Sequence, residues 1–92
     1  MYKFIEVFSY QDYASEVVIY KPFYINLDMI SYFEEGLPYK DDKKVISVDN
    51  GNITKSDFKP YGYIYSKGLD ECYLLDQKGY ITLLNNLVIG GY

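Results

Sequence analysis

Alternating apolar and polar residues dominate the first part of the chain and predict β-strands rather than helices. Residues 2–10 carry apolar side chains on both faces of the predicted strand, which is typical of a central strand. Residues 16–20 resume the pattern after a polar turn. Lys21-Pro22 should then interrupt the second strand, because proline lacks the N–H that a central strand donates.

The segment from Phe23 to Glu35 predicts two short strands joined by a kink or a single helical turn. Successive side chains alternate between two faces before and after positions 26–29. At positions 26–29 the Asx side chains can cap local backbone N–H groups. Gly36-Leu37-Pro38 then ends the run. The charged residues 39–43 suit an exposed hairpin loop.

Asn50-Gly51 is the strongest short hairpin signal in the chain, because both central residues of a type I′ turn need a positive φ. It follows an alternating strand over residues 44–49. Residues 54–57 have the spacing of a capping box and could start one turn of helix.

The last third predicts a meander of strands and turns. The predicted strands are residues 61–66, 71–76, 80–84 and 87–89, with turns at 67–68, 77–79 and 85–86. The fold class is therefore mainly β, as a small curled antiparallel sheet or a barrel, because closure removes exposed edges. One short helical turn keeps an α+β fold as the alternative. The apolar end, residues 87–92, should pair as an edge strand within its own subunit or with a copy.

Composition agrees with one small β-rich domain over residues 1–92. Thirteen tyrosines and five phenylalanines occur among 92 residues, and aromatic and β-branched residues favour strands. The single cysteine, Cys72, excludes an internal disulfide and fits a reducing compartment. No apolar stretch reaches the length that a bilayer requires. We therefore expect a cytoplasmic protein without membrane contact.

Missing residue types argue against catalysis and metal binding. The chain has no histidine, the usual general acid or base near neutral pH, and a lone cysteine cannot fill a zinc site. The glycines are expected at turns with no helix after them, so no phosphate loop is predicted. The adjacent acidic pairs, Glu34-Glu35, Asp41-Asp42 and Asp70-Glu71, fit solvated loops rather than paired catalytic carboxylates. We expect a protein that is not an enzyme and that has no cofactor.

The charge balance narrows the choice of partner. Nine lysines oppose thirteen acidic residues, and a net charge of −4 without a basic block argues against duplex DNA. The absence of arginine removes the side chain best suited to guanine and phosphate. An AT-rich coding sequence would produce the same bias, and we favour that genomic cause over selection for binding.

The positive functional signal is the row Tyr61, Tyr63 and Tyr65. On one strand these rings would share a face at about 7 Å spacing, where they could stack on bases, grip an extended peptide or anchor a protein. The simpler interpretation is that the rings cover a small core and direct their hydroxyls to water. Asp41 and Asp42, in the predicted exposed loop, complete a candidate tyrosine and acid surface.

A resemblance to a known family rests on three short segments. They are Phe23–Ile30 (FYINLDMI), Glu34-Glu35 and Val45–Gly51 (VISVDNG). Together, over residues 23–51, they resemble small bacterial and phage proteins of the FlbD-like kind, which carry a YINxDxI strand-turn-strand, an acidic loop and a strand ending in Asn-Gly. The resemblance implies a small β-sheet domain of bacterial or phage origin and no catalytic residues.

Three functions remain open on this basis. The first is a non-enzymatic adaptor or inhibitor, encoded by a phage or mobile element, that binds a protein partner through tyrosines and acids. The second is a binder of a small, nucleotide-like ligand, held by aromatic rings and lysines. The third is a single-stranded nucleic-acid binder, against which the negative charge counts. A homo-oligomer is compatible with all three.

Overall fold

The residues that the structure describes form an open seven-stranded mixed sheet with one α-helix on one face. The computed structural model describes residues 4–49, 52–55, 59–67 and 71–90. In chain order the elements are β1 (Phe4–Asp12), β2 (Glu16–Asn26), a 3-10 turn (Leu27–Met29), β3 (Ile30–Glu35), β4 (Lys44–Asp49), β5 (Asn52–Lys55), β6 (Gly62–Ser66), β7 (Cys72–Leu75) and α1 (Gln77–Gly90). The strand order is β3-β6-β7-β1-β2-β4-β5.

The mainly β prediction is confirmed, although two of its details differ. The sheet does not close into a barrel, and β2 pairs with β4 in parallel while the other neighbouring pairs are antiparallel. A parallel pair needs a crossover rather than a hairpin. The connection from β3 to β4 is this crossover, because four other strands lie between β3 and β4 in the sheet. The prediction of a hairpin loop over residues 39–43 is therefore wrong.

The turn after β2 matches its prediction closely. The Asn26 side chain accepts a hydrogen bond from the Asp28 N–H at 2.9 Å and so caps the 3-10 turn. Gly36 follows β3 with a φ of +118°, a backbone conformation that favours glycine. β1 lies between β2 and β7, as its two apolar faces predict.

β2 does not break at Lys21-Pro22 but continues through a β-bulge. Phe8 pairs with Pro22 and Tyr10 pairs with Ile19, so Ser9 of β1 faces two residues of β2 instead of one. The described pairs between β2 and β4 end at Ile19, so Pro22 lies beyond them, where a missing N–H costs little. The bulge shifts the alternation of β2 by one residue and exchanges its two faces.

Both faces of the sheet carry buried side chains. The helix-side core consists of Ile5, Val7, Ile64, Tyr73, Leu75 and Leu83. The open-side core, on the face away from α1, consists of Val17, Ile19 and Leu74, partly covered by Phe8, Tyr10, Tyr39, Val45 and Tyr63. Because of the bulge, β2 contributes Ile19 to the open-side core and Ile25 to the edge of the helix-side core.

The C-terminal part is a helix, so the strands predicted at 80–84 and 87–89 and the turns at 77–79 and 85–86 are wrong. The Asp76 carboxylate accepts a hydrogen bond from the Gly79 N–H at 2.7 Å and thereby satisfies one free donor of the first helical turn. Tyr80 and Leu83, three residues apart, both pack on the helix-side core. The edge strand expected at the C-terminus is also wrong for Leu87–Gly90, while residues 91–92 lie outside the described residues.

Three smaller predictions involve residues that are only partly described. Asn50-Gly51 lies outside the described residues, and the flanking strands pair antiparallel with Asp49 opposite Asn52. Thr54 and Lys55 belong to β5, so the helical turn predicted to start at Thr54 is wrong for these two residues. Residues 56–57 of that prediction lie outside the described residues. Residues 2–3, 68 and 70, which other predictions include, also lie outside them. Within the described ranges, no helix is long and apolar enough to cross a membrane.

The packing of α1 can be tested with two neighbouring leucines. Leu83 is 1% exposed and Leu84 is 37% exposed. Leu83→Ala should lower the free energy of unfolding by about 2–4 kcal/mol, because it leaves a cavity in the helix-side core. Leu84→Ala should lower it by about 1 kcal/mol or less. Urea denaturation followed by circular dichroism measures both, and equal losses would contradict the packing described for this helix.

Candidate binding surface

The predicted tyrosine row is divided between the two faces of the sheet. Tyr63 and Tyr65 alternate with the buried Ile64 on β6 and lie on the open side. Tyr61 precedes the strand and instead contacts Tyr80 of α1, with ring centroids 5.2 Å apart. A Cβ on Gly62 would lie 2.7 Å from the Tyr80 ring, so glycine there lets the helix approach closely. A single row of three tyrosines is therefore not formed.

A different aromatic cluster forms where β6 meets the edge strand β3. Tyr32 of β3 stacks on Tyr65, with centroids 4.9 Å apart and planes inclined by 20°. Tyr65 also makes an edge contact with Tyr63 at 6.0 Å. We call Tyr32, Tyr63 and Tyr65 the aromatic patch. Tyr32 is its most accessible member, at 50% exposure, and the alternation of residues 61–65 could not predict it because it lies on another strand.

Two glutamates of β3 are fixed by hydrogen bonds from tyrosines of the neighbouring segment. The Tyr63 hydroxyl donates to Glu34 on the open side. The Tyr61 hydroxyl donates to Glu35 at 2.5 Å on the helix side. Glu34 and Glu35 thus lie in an exposed strand, as predicted for the segment up to Glu35, and the interpretation of this acidic pair as a solvated loop is wrong. The two carboxylates are held on opposite faces of the same sheet edge.

These hydrogen bonds keep the two phenols protonated. Chiefly through its bond to Glu34, the pKa of Tyr63 is raised to about 12. The bond to Glu35 is likewise the main reason that the pKa of Tyr61 is raised. An anionic acceptor opposes loss of the donated proton, so both hydroxyls remain donors at neutral pH.

The other predicted acids lie far from this edge. Asp41 and Asp42 are exposed in the turn that leads into β4, and four strands separate β3 from β4. The structure does not bring these two aspartates together with the aromatic patch. Glu34 and Glu35 are the acidic residues that lie beside it.

Cys72 lies on the open side of β7, next to the hydroxyls of Tyr10 and Tyr65. Burial raises the pKa of the Cys72 thiol, and hydrogen bonds with those two tyrosines oppose this effect. The net result is a neutral thiol, and neutral thiols are poor nucleophiles. Among the described residues, no three His, Cys, Asp or Glu side chains are grouped so that they could hold a metal ion.

No protein-family model, no curated protein and no solved structure matches this chain. The resemblance of residues 23–51 to FlbD-like proteins therefore stays a prediction. The candidate surface rests on the geometry of β3 and β6 themselves.

The Tyr63 to Glu34 bond predicts an unusual titration. Tyr63 should ionise near pH 12, and Glu34→Gln should lower its pKa towards the ordinary value of about 10. Because the folded-state pKa is raised, the associated stability is complete below about pH 10 and is lost as the pH rises through about 12. NMR of tyrosines labelled at Cζ measures the pKa, with Asp42→Asn as the control. An unchanged Tyr63 pKa in Glu34→Gln would contradict the bond.

Proposed function

We propose that this protein is a non-enzymatic binding protein that engages a protein partner through the aromatic patch and Glu34, as an adaptor or inhibitor. One observation carries the proposal. Half-exposed Tyr32 stacks on Tyr65, beside the bonded pair Tyr63 and Glu34, on the face of the sheet that lies away from α1. A phage or mobile-element origin is part of this proposal.

The chemistry of the patch suits protein recognition. Tyrosine gives a large contact area at little cost in side-chain entropy, and it is enriched among residues that dominate binding energy. Stacking already restrains the rings of Tyr32 and Tyr65, so less freedom is lost when a partner binds.

Charge selects the kind of partner. Glu34 borders the patch, and the whole chain has a net charge of −4. Complementary potentials favour a partner surface that carries lysine or arginine. A basic nucleic-acid-binding groove is one surface of this kind, and occupying it would make the protein an inhibitor.

The two alternatives have weaker support. Three clefts lined by described residues hold at most one lysine each, such as Lys21 beside Phe8 and Pro22 in a space of about 360 Å³. One lysine is poor provision for a nucleotide's phosphates. Single-stranded nucleic acid on the aromatic patch would meet the carboxylate of Glu34. Proteins that stack bases on aromatic rings usually bind the nucleic-acid backbone in a positively charged groove.

Tyr32 and Tyr13 provide a matched pair for testing this function. They are 50% and 48% exposed, and Tyr13 lies in the turn between β1 and β2. Immobilised wild type should capture a specific protein from a low-GC bacterial lysate, and Tyr32→Ser should capture about tenfold less, as expected for a central tyrosine contact. Tyr13→Ser should behave like wild type. Quantitative mass spectrometry gives the readout.

Absence of any captured protein would count against a protein partner. Equal capture by Tyr32→Ser and wild type would show that the partner binds elsewhere. Native mass spectrometry of the same samples separates capture of a foreign protein from association between copies.

A further inference from the structure

We propose that β3 is a docking edge, to which a segment of the partner containing two consecutive basic residues adds as an extra β-strand. This inference rests on the proposed function and specifies the chemistry of its partner. It depends on three features of β3: its place in the sheet, the direction of its backbone groups, and the acids on its two faces.

β3 is the first strand in the sheet order and pairs with β6 alone among the described strands. The Gly36 N–H donates to the Tyr61 carbonyl at 2.9 Å, so the N–H of Gly36 points towards the β6 side. The residues before Gly36, back along β3, alternate in direction from there. In an antiparallel pair, successive residues point their N–H and C=O groups alternately towards and away from the partner strand. The backbone N–H and C=O groups of Glu34 therefore point towards β6, whereas those of Phe33 and Glu35 point outward.

Two residues with outward N–H and C=O groups, two positions apart, match the repeat of an added strand. Such an edge is a template for another extended chain, and strand addition is a common way to bind peptides. In the described part of the chain, no backbone group bonds to this outer side of β3. The edge therefore offers main-chain affinity that does not depend on the partner's sequence.

The side chains of β3 supply the selectivity. Glu34 lies on the open side and Glu35 on the helix side, each positioned by a tyrosine hydroxyl. Residues directly opposite each other on paired strands share a face. A partner strand thus neutralises both carboxylates when it has two consecutive cations, one for each face. The cation opposite Glu34 would also lie near the ring of Tyr32, where a cation–π contact is available.

A second copy of the chain is a poorer occupant of this edge. β3 has the sequence ISYFEE and carries no basic residue. Pairing of two β3 strands would leave four carboxylates along the shared edge without a cation from either strand. Charge complementarity favours a basic segment of another protein.

The probe is the peptide acetyl-Thr-Val-Lys-Lys-Val-Thr-amide, which reads the same in both directions and therefore tests both strand orientations. Titration into ¹⁵N-labelled protein at low salt should shift the amide signals of β3. Hydrogen exchange of the Phe33 and Glu35 amides should slow about tenfold at saturation, because each gains a hydrogen bond. The Glu34 amide should be protected already in the free protein.

Matched variants separate backbone pairing from charge. Glu34→Gln combined with Glu35→Gln should weaken binding about tenfold, as should raising the salt concentration to 1 M. Asp41→Asn combined with Asp42→Asn makes the same change in net charge at the far side of the sheet and should leave affinity within about twofold. A peptide N-methylated at its four central amides keeps its charge and should fail to bind, because methylation blocks both of its edges.

The outcomes distinguish this inference from the proposed function. Peptide binding without slower exchange at Phe33 and Glu35 would overturn strand addition, as would an N-methylated peptide that binds equally well or a peptide that does not bind at all. Concentration-dependent protection of both amides in the free protein, with a dimeric native mass, would make a second copy the occupant and also overturn it. The proposed function is judged separately by the capture ratio of Tyr32→Ser to Tyr13→Ser, which uses no peptide.

Discussion

One extra residue in β2 allows this strand to contribute odd-numbered apolar side chains to the cores on both faces of the sheet. Ser9 of β1 faces both Tyr20 and Lys21, and the apolar alternation of β2 changes sides at that point. Ile19 consequently packs in the open-side core, and Ile25 packs at the helix side. In a regular strand these odd-numbered residues would share a face. One of the two cores would then lose about 1.5–3 kcal/mol of burial free energy for each large side chain that moved to the other face.

The sheet has two apolar faces, whereas the described residues include one α-helix that covers one of them, and three of the thirteen tyrosines help to cover the other. α1 covers the helix side, whereas Tyr10, Tyr39 and Tyr63 partly cover the open-side core. Tyrosine suits this place because its ring packs on apolar neighbours while its hydroxyl can bond a polar group, as Tyr63 bonds Glu34. Tyr39 departs from this rule, because its hydroxyl is buried without a hydrogen-bond partner among the described residues. The two interpretations of the tyrosines are therefore compatible. Tyr63 packs on the core and also donates to Glu34, while Tyr32 stacks outside it.

Local patterns could predict most strands and the turn at Asn26, because alternation and Asx capping are properties of neighbouring residues. The helix was missed because Gly79 and Asn85-Asn86 are typical of turns, and its start depends on the Asp76 cap and on a sheet face that needs covering. The binding surface was predicted only in part for a related reason. Tyr32 reaches Tyr65 through the non-local pairing of β3 with β6, which no periodicity within either segment reveals.

An exposed sheet edge is usually a liability, and proteins often protect it with lysine, proline or a covering segment. β3 contains neither lysine nor proline within its six residues, yet it carries two adjacent acids on opposite faces. Like charges oppose the pairing of β3 with its own copy, and the same charges favour a basic strand. Because Tyr61 and Tyr63 hold both carboxylates in place, this selectivity is built into the folded sheet before any partner arrives.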